Sequence, residues 1–264
     1  MNTDLGQPIA YGGTAEIYAW QEGTILKLFK GYVSLESIER EAQISRAVHA
    51  TGLPVPAAGE LVRVNGRHGL VFERVEGSSM LEELVASPWR CIRTARRMAE
   101  LHAEMHAMIP PADLPSQRQK LTEKIGRAKA LGAHLQSRAV AALEAMPEGD
   151  RLCHGDFHPG NILVTPSGER IIDWLDASRG NRLADLARTT ILLRGGAETS
   201  QIPSALLRAF VSLLRAAYVH YYFRLCPGSR DEYRRWLPIV AAARVDEEIP
   251  EVEAWLIAQA KKGL

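Results

Sequence analysis

The sequence predicts an α+β chain whose N-terminal part is a small group of strands with one helix and whose larger remainder is mostly helical. Three observations carry that reading. Short runs of alternating apolar and polar residues, punctuated by glycine turns, occupy residues 8–30 and 61–73. From Met80 the apolar spacing becomes helical and stays so towards residue 149. The closing third is helical again, most clearly over Ala205–Phe223 and Asp231–Ala243.

In order along the chain, Ile9-Ala10-Tyr11 is the first strand, and Gly12-Gly13-Thr14 turns it into Ala15-Glu16-Ile17-Tyr18-Ala19-Trp20. A turn at Glu22-Gly23 then leads into Thr24-Ile25-Leu26-Lys27-Leu28-Phe29. Lys27 lies between apolar neighbours, where a charge needs a partner; on an edge strand it is instead a solvated face residue. A helix follows from Ser34, a plausible N-cap, to about Ala50, before Gly52 and Pro54. Glu41 stands three residues after Ile38 and seven before Val48, so it shares their apolar face. It is the expected partner of Lys27, with Glu39 as the fallback. Residues 61–73 form two strands joined at Asn65-Gly66, a tight hairpin turn, and the second runs through Glu73 into Arg74-Val75-Glu76-Gly77.

In the helical part, Ala95–His106 reads as helix. His102 and His106 are four apart on one face, which is zinc-ligand spacing, but the run is H-x-E-x-H and suggests no third ligand, so a structural role is favoured. Residues 112–149 read as one or two helices without recognisable chemistry. The aromatic run Tyr218, Tyr221, Tyr222, Phe223 reads as core in preference to a ligand platform.

The most informative stretch is His154-Gly155-Asp156-Phe157-His158-Pro159-Gly160-Asn161-Ile162-Leu163, with Ile171-Ile172-Asp173-Trp174 after it. This is the order of parts of a kinase catalytic loop: Asp156 to orient the acceptor hydroxyl, then Asn161 and Asp173 as Mg²⁺ ligands. The chemistry explains the order. A transferring phosphoryl group spreads negative charge over its oxygens, so the site needs an acceptor beside the hydroxyl and hard oxygen ligands for the metal. Asp156 is expected to be ionised with an ordinary carboxylate pKa near ~4. Protein kinases usually read H-R-D here with Lys two residues after the Asp; this chain has Gly155 and His158 in those places. His158 is therefore expected either to touch the γ-phosphate or to pack against its own loop.

The whole string, with I-I-D-W downstream, resembles the aminoglycoside phosphotransferase family. The resemblance implies a bilobal, protein-kinase-like fold, with a nucleotide-binding lobe over residues 1–76 and a catalytic and substrate-binding helical lobe over 77–264. It implies ATP or GTP as co-substrate, with Mg²⁺, and phosphorylation of a small hydroxylated molecule, an aminoglycoside-type antibiotic first and a metabolite second. A nucleotide-binding module without turnover is the rival from another class, disfavoured because Lys27, Asp156, Asn161 and Asp173 are all present. In the family's order, Gly12, Gly13 and Thr14 close over nucleotide phosphates, though a Gly-Gly turn between strands is by itself only a turn. Lys27 reaches the α- and β-phosphates, and the main chain of Glu73 and Val75 meets the base. His154 anchors the loop by hydrogen bonds, and Asp185 ties it down. Only eleven residues, 174–184, separate Asp173 from Asp185, too few for a protein-kinase activation segment.

Near the C-terminus, Asp246-Glu247-Glu248-Ile249-Pro250-Glu251-Val252-Glu253 is acidic. Glu247, Glu248 and Glu251, with Asp176, could wall a pocket for a cationic substrate. The blander reading, a loop and a helix start with acids favourable to the helix dipole and Pro250 in the first turn, is preferred.

Composition excludes several classes. A net charge of +1 with 24% charged residues in 264 points to neither nucleic acid nor a membrane surface. No apolar run approaches a membrane span, and Met1–Gly6 shows no secretory pattern. Cys91, Cys153 and Cys226 have no metal-ligand spacing and suit a reducing cytoplasm. A cytoplasmic monomer or homodimer is expected.

Overall fold

A computed structural model describes residues 4–198 and 205–264 of the chain. Met1–Thr3, on which part of the leader reading rests, and residues 199–204 lie outside the described residues. Two compact units form, Met1–Ser79 with Asn161–Leu175, and Met80–Gly160 with Asp176–Leu264.

The first unit is built on a five-stranded antiparallel sheet in the order β1-β2-β3-β5-β4. Its strands are β1 (Ala10–Tyr11), β2 (Ala15–Ala19), β3 (Thr24–Phe29), β4 (Ala58–Val64) and β5 (Arg67–Glu73). Asn65 and Gly66 both take positive φ, 51° and 81°, as a two-residue hairpin turn requires. Helix α1 (Leu35–His49) begins where the Ser34 hydroxyl accepts the Ser37 N–H. Its Ile38 and Ala42 pack with Ala15, Phe29 and Leu70 on one face of the sheet, while Tyr18, Leu26, Leu28, Val64 and Val71 fill the other. A second sheet in the order β6-β8-β9 joins β6 (Ser78–Ser79) to the hairpin of β8 (Ile162–Thr165) and β9 (Gly168–Ile171).

The second unit is helical: α2 (Met80–Ala86), α3 (Cys91–Ala107), α4 (Gln117–Arg127), α5 (Gly132–Glu144), α6 (Arg182–Glu198), α7 (Ala205–Leu225), α8 (Arg230–Arg244) and α9 (Pro250–Gly263). One antiparallel ribbon interrupts it, β7 (Arg151–Cys153) with β10 (Ser178–Gly180). Helix α3 packs along α7, and its Met98, Leu101 and Met105 are fully buried with Tyr218 and Tyr222. Of the aromatic run, Tyr218, Tyr222 and Phe223 are core, whereas Tyr221 is only half-buried. Among the described residues no helix is long and apolar enough to cross a membrane.

Candidate active site

Alternation along β3 puts Lys27 on the same face as Phe29, towards α1. Its Nζ lies 2.5 Å from Glu41 Oε1 and 3.3 Å from Asp173 Oδ1. Burial works against the ammonium, but the charges of Asp173 and Glu41 outweigh it and hold the Lys27 pKa above its ordinary value. Glu41 is 2% exposed. Burial raises its pKa more than Lys27 lowers it, and its Oε2 is buried without a hydrogen-bond partner. Glu39 is exposed.

Asp173 has a left-handed backbone, φ 64°, and a half-exposed side chain. Asn161 is buried, and its carbonyl accepts the Ile172 N–H at 3.0 Å. The pairing of Ile162 with Ile171 thus continues one step outwards and sets Asn161 and Asp173 beside the same end of the β8–β9 hairpin. Both offer hard oxygens, the donor type that Mg²⁺ takes. In the β1–β2 turn, Gly12 N–H donates to Ala15 at 2.8 Å, and the Gly13 carbonyl accepts from Lys30 Nζ and the Tyr32 hydroxyl. The Thr14 carbonyl accepts from Lys30 N–H, and the space beside Gly13 is open. At the end of β5, Glu73 and Ala57 exchange two hydrogen bonds, one through the Glu73 carboxylate, and Val75 follows half-buried.

In the second unit, residues 154–160 leave β7 as a loop held from beneath by Asp185, which is 1% exposed. Its Oδ2 accepts the His154 N–H and its Oδ1 the Gly155 N–H, both at 2.8 Å. The same carboxylate receives His102 Nε2 at 3.0 Å and His106 Nε2 at 3.2 Å. Each ring's Nδ1 faces a tyrosine hydroxyl, that of Tyr218 for His102 and that of Tyr222, at 2.7 Å, for His106. The tyrosines donate and the rings donate onwards, so both imidazoles are neutral with the proton on Nε2. Burial and the neighbouring His106 lower the His102 pKa to about 4, and burial lowers that of His106. Asp185 is the third group near the histidine pair that the spacing alone did not suggest. Every ring nitrogen and both carboxylate oxygens there already have partners, which makes the cluster a hydrogen-bonded brace.

Asp156 lies above that brace. Burial pushes its pKa up, but the His158 hydrogen bond and the Arg188 charge prevail and hold it at about 2, below the ordinary value expected. His158 is turned into its own loop: Nδ1 accepts the Gly160 N–H at 3.1 Å, which leaves the proton on Nε2, 3.5 Å from Asp156 Oδ2. Arg188, one helical turn after Asp185, donates through Nε to the Gly155 carbonyl at 2.9 Å and lies 3.5 Å from Asp156 Oδ1.

The C-terminal acids divide. Glu247 pairs with Arg188 and, at 3.0 Å, with Arg244. Asp246 pairs with Arg127 at 2.7 Å. Glu248 and Glu251 are exposed, and Pro250 occupies the first turn of α9. Asp176 receives both Lys120 and Lys124 at 3.1 Å on the same oxygen. Burial alone would raise its pKa, but the two lysines hold it well below the ordinary carboxylate range.

Arg188, Arg244, Lys120 and Lys124 escaped the sequence reading. The lysines' spacing of four on α4 was the available signal for one shared target.

A profile described as the phosphotransferase enzyme family matches residues 7–236. The chain belongs to the phosphotransferase enzyme family. No curated protein matches it. The fold of this phosphotransferase recurs in solved structures. The crystal structure of an aminoglycoside-3'-phosphotransferase of type VIII matches with a TM-score of 0.62 at 21% identity, over 92% of this chain and 91% of the other. A thermostable mutant of aminoglycoside phosphotransferase APH(4)-Ia, in ternary complex with ADP and hygromycin B, gives 0.66 at 14% identity, covering 97% and 92%. Choline kinase from Cryptosporidium parvum Iowa II gives 0.54 at 13% identity, covering 97% and 88%. These likenesses make the phosphotransferase a member of the kinase-like α+β fold.

Proposed function

We propose that this phosphotransferase moves the γ-phosphoryl group of ATP or GTP to a hydroxyl of a small molecule. The observation that carries the proposal is Lys27 held at 2.5 Å and 3.3 Å by Glu41 and Asp173. A cation kept charged in a largely buried place, beside a carboxylate whose backbone sits in the left-handed region, is an arrangement kept for a ligand. In this reading Lys27 takes the α- and β-phosphates, Gly12, Gly13 and Thr14 cover them, and the main chain of Glu73 and Val75 meets the base. Asn161 and Asp173 would hold Mg²⁺, which neutralises phosphate charge when bound.

Asp156 aims the acceptor hydroxyl. With its pKa at about 2 it is a weak base in the ground state, so its contribution is positioning. That suffices for a loose phosphoryl-transfer transition state, in which little proton movement has occurred. His158 fixes the Asp156 carboxylate by its Nε2–H, and Arg188 fixes the other oxygen.

For the acceptor, two readings stand. Relatives in fold that carry aminoglycosides support an antibiotic, and the likeness to choline kinase supports a metabolite. The charges in the second unit favour the metabolite, because Asp156, Asp176 and Glu247 already have cationic partners. We place the enzyme in the cytoplasm, as a monomer or homodimer; its three free cysteines suit a reducing compartment.

The test is nucleotide turnover with Mg²⁺, in parallel for ATP and GTP, against aminoglycosides, other hydroxylated antibiotics and small metabolites, with Asp156→Asn as control. Stimulation by one class that falls about 10²–10⁴-fold in the control, with nucleotide affinity kept, supports the reading. Nucleotide binding without turnover across the panel would favour the binding-module alternative.

A further inference from the structure

Glu247 lies in the short helical turn Val245–Glu247 that follows α8, and two arginines converge on it. Its Oε1 pairs with Arg188 of α6, and its Oε2 accepts from Arg244 Nε at 3.0 Å. Both cations are deep: Arg244 is 7% exposed and the Arg188 side chain 12%. Helix α6 is shaped to admit the second of them. Arg244 donates through Nη1 to the Ile191 carbonyl at 3.1 Å, and a Cβ on Gly195 would lie 2.5 Å from that same nitrogen. Directly after Glu247 the chain reverses at Glu248, whose backbone is left-handed at φ 49°. A non-glycine residue is held there only where its surroundings impose it.

Arg188 is the group that this arrangement holds. Its Nε donates to the Gly155 carbonyl at 2.9 Å. Its Nη2 serves two carboxylates, pairing with Glu247 and standing 3.5 Å from Asp156 Oδ1. A separation of 3.5 Å exceeds an ordinary N–H···O bond. Glu247 therefore decides how far the guanidinium reaches towards Asp156. An arginine closed fully onto Asp156 would form a charge-assisted pair and compete with an incoming hydroxyl for the same carboxylate.

We propose that Glu247 is a positioning residue of the phosphotransfer reaction: it holds the Arg188 guanidinium at a set distance from Asp156, so that the carboxylate stays aimed at the acceptor hydroxyl and is not captured by the arginine. Arg244 fixes Glu247 from its other oxygen. The inference rests on the reading that Asp156 orients the acceptor. It gives the acidic run near the C-terminus a part in the reaction that acts through Arg188 instead of on the substrate.

The experiment is steady-state kinetics of the full chain with Mg²⁺ and ATP or GTP. Water is the acceptor in the basal hydrolysis, and any compound of the panel that stimulates turnover is the second acceptor. Glu247→Gln should lower kcat about 10- to 100-fold and leave the nucleotide KM unchanged. In an Arg188→Gln background the same change should add no further loss, because the two residues act as one unit. Glu247→Gln alone strands the buried Arg244 cation, so a second variant separates stability from rate. Glu247→Gln with Arg244→Gln should regain thermal stability and stay slow, and it carries the rate comparison if the single variant does not fold. Unchanged turnover in Glu247→Gln, losses that multiply independently with those of Arg188→Gln, or a rate regained together with stability would each overturn the inference, the last by making Glu247 purely structural. A parent protein that binds nucleotide but neither hydrolyses nor transfers would instead strike the phosphotransfer reading.

Discussion

The His102 ring donates from Nε2 to Asp185 Oδ2 at 3.0 Å, with 0% and 1% of the two side chains exposed. Two helices, α3 and α6, thus meet the loop of residues 154–160 at one carboxylate, because Asp185 also takes the N–H groups of His154 and Gly155. The loop's main chain is fixed by an acceptor-only group surrounded by donors, so its conformation depends on the protonation of neighbours that have no contact with water.

This network makes stability depend on pH in a defined window. In the unfolded chain His102 takes up a proton as pH falls below its ordinary ~6.5, whereas in the folded chain it resists until about 4. Between those values the unfolded state binds more protons, so stability falls as pH falls, by about 3 kcal/mol for His102 alone. His106 acts in the same direction. Below that window Asp185, whose folded pKa is depressed, loses its own stabilising contribution as it protonates. Denaturant midpoints measured from pH 7.5 to 4.5 should drop steadily; a flat profile would mean that the rings titrate in the folded protein as they do in the unfolded chain.

Asp185→Asn tests the brace itself. The amide has one acceptor oxygen where four donors converge, so its NH₂ must face an N–H group. A loss of about 3–5 kcal/mol is expected, the scale for breaking a buried charged network. Calorimetry should register it, and any folded fraction should show reduced turnover with nucleotide affinity kept.

The order of elements was legible because strand alternation and turn residues are local signals: Asn65-Gly66 announced its hairpin, and Ser34 its helix. The Lys27–Glu41 pair was legible too, since a lysine among apolar strand residues and a glutamate on an apolar helix face each demand a partner. Arg188 was not, for its neighbours along α6 give no hint that it reaches Gly155 and Glu247. Lys120 and Lys124 fell in a stretch read only as helix, because Asp176 is more than fifty residues away in the chain. Likewise, the depression of the Asp156 pKa needs the folded positions of His158 and Arg188. Contacts at long sequence separation carry most of the electrostatics, and periodicity does not report them.

Lys27 and Glu41 should be strongly coupled. Lys27→Met leaves Glu41 buried with neither oxygen partnered by a cation, which should cost about 3 kcal/mol. Adding Glu41→Gln should recover more than half of that loss, because the buried charge goes with it. A double-mutant cycle by urea denaturation reads the coupling directly, and strictly additive losses would show that the two side chains do not depend on each other. Nucleotide affinity should stay low in both variants, since restoring stability does not restore the cation.

Two glycines give opposite predictions from one substitution. Gly155 has φ 80°, and a Cβ there would lie 2.5 Å from the Asp176 carbonyl oxygen, so Gly155→Ala must strain the backbone and displace the loop after β9. A loss of about 1–3 kcal/mol is expected from the conformation alone, with a larger fall in turnover because Asp156 is the next residue. Gly126, exposed within α4, has nothing within 4 Å of its would-be Cβ. There the same change should stabilise by about 0.5–1 kcal/mol, through helix propensity. Melting temperatures of the two variants separate the effects: a Gly155→Ala protein as stable and as active as the parent would mean that the left-handed turn before Asp156 is not needed to aim it.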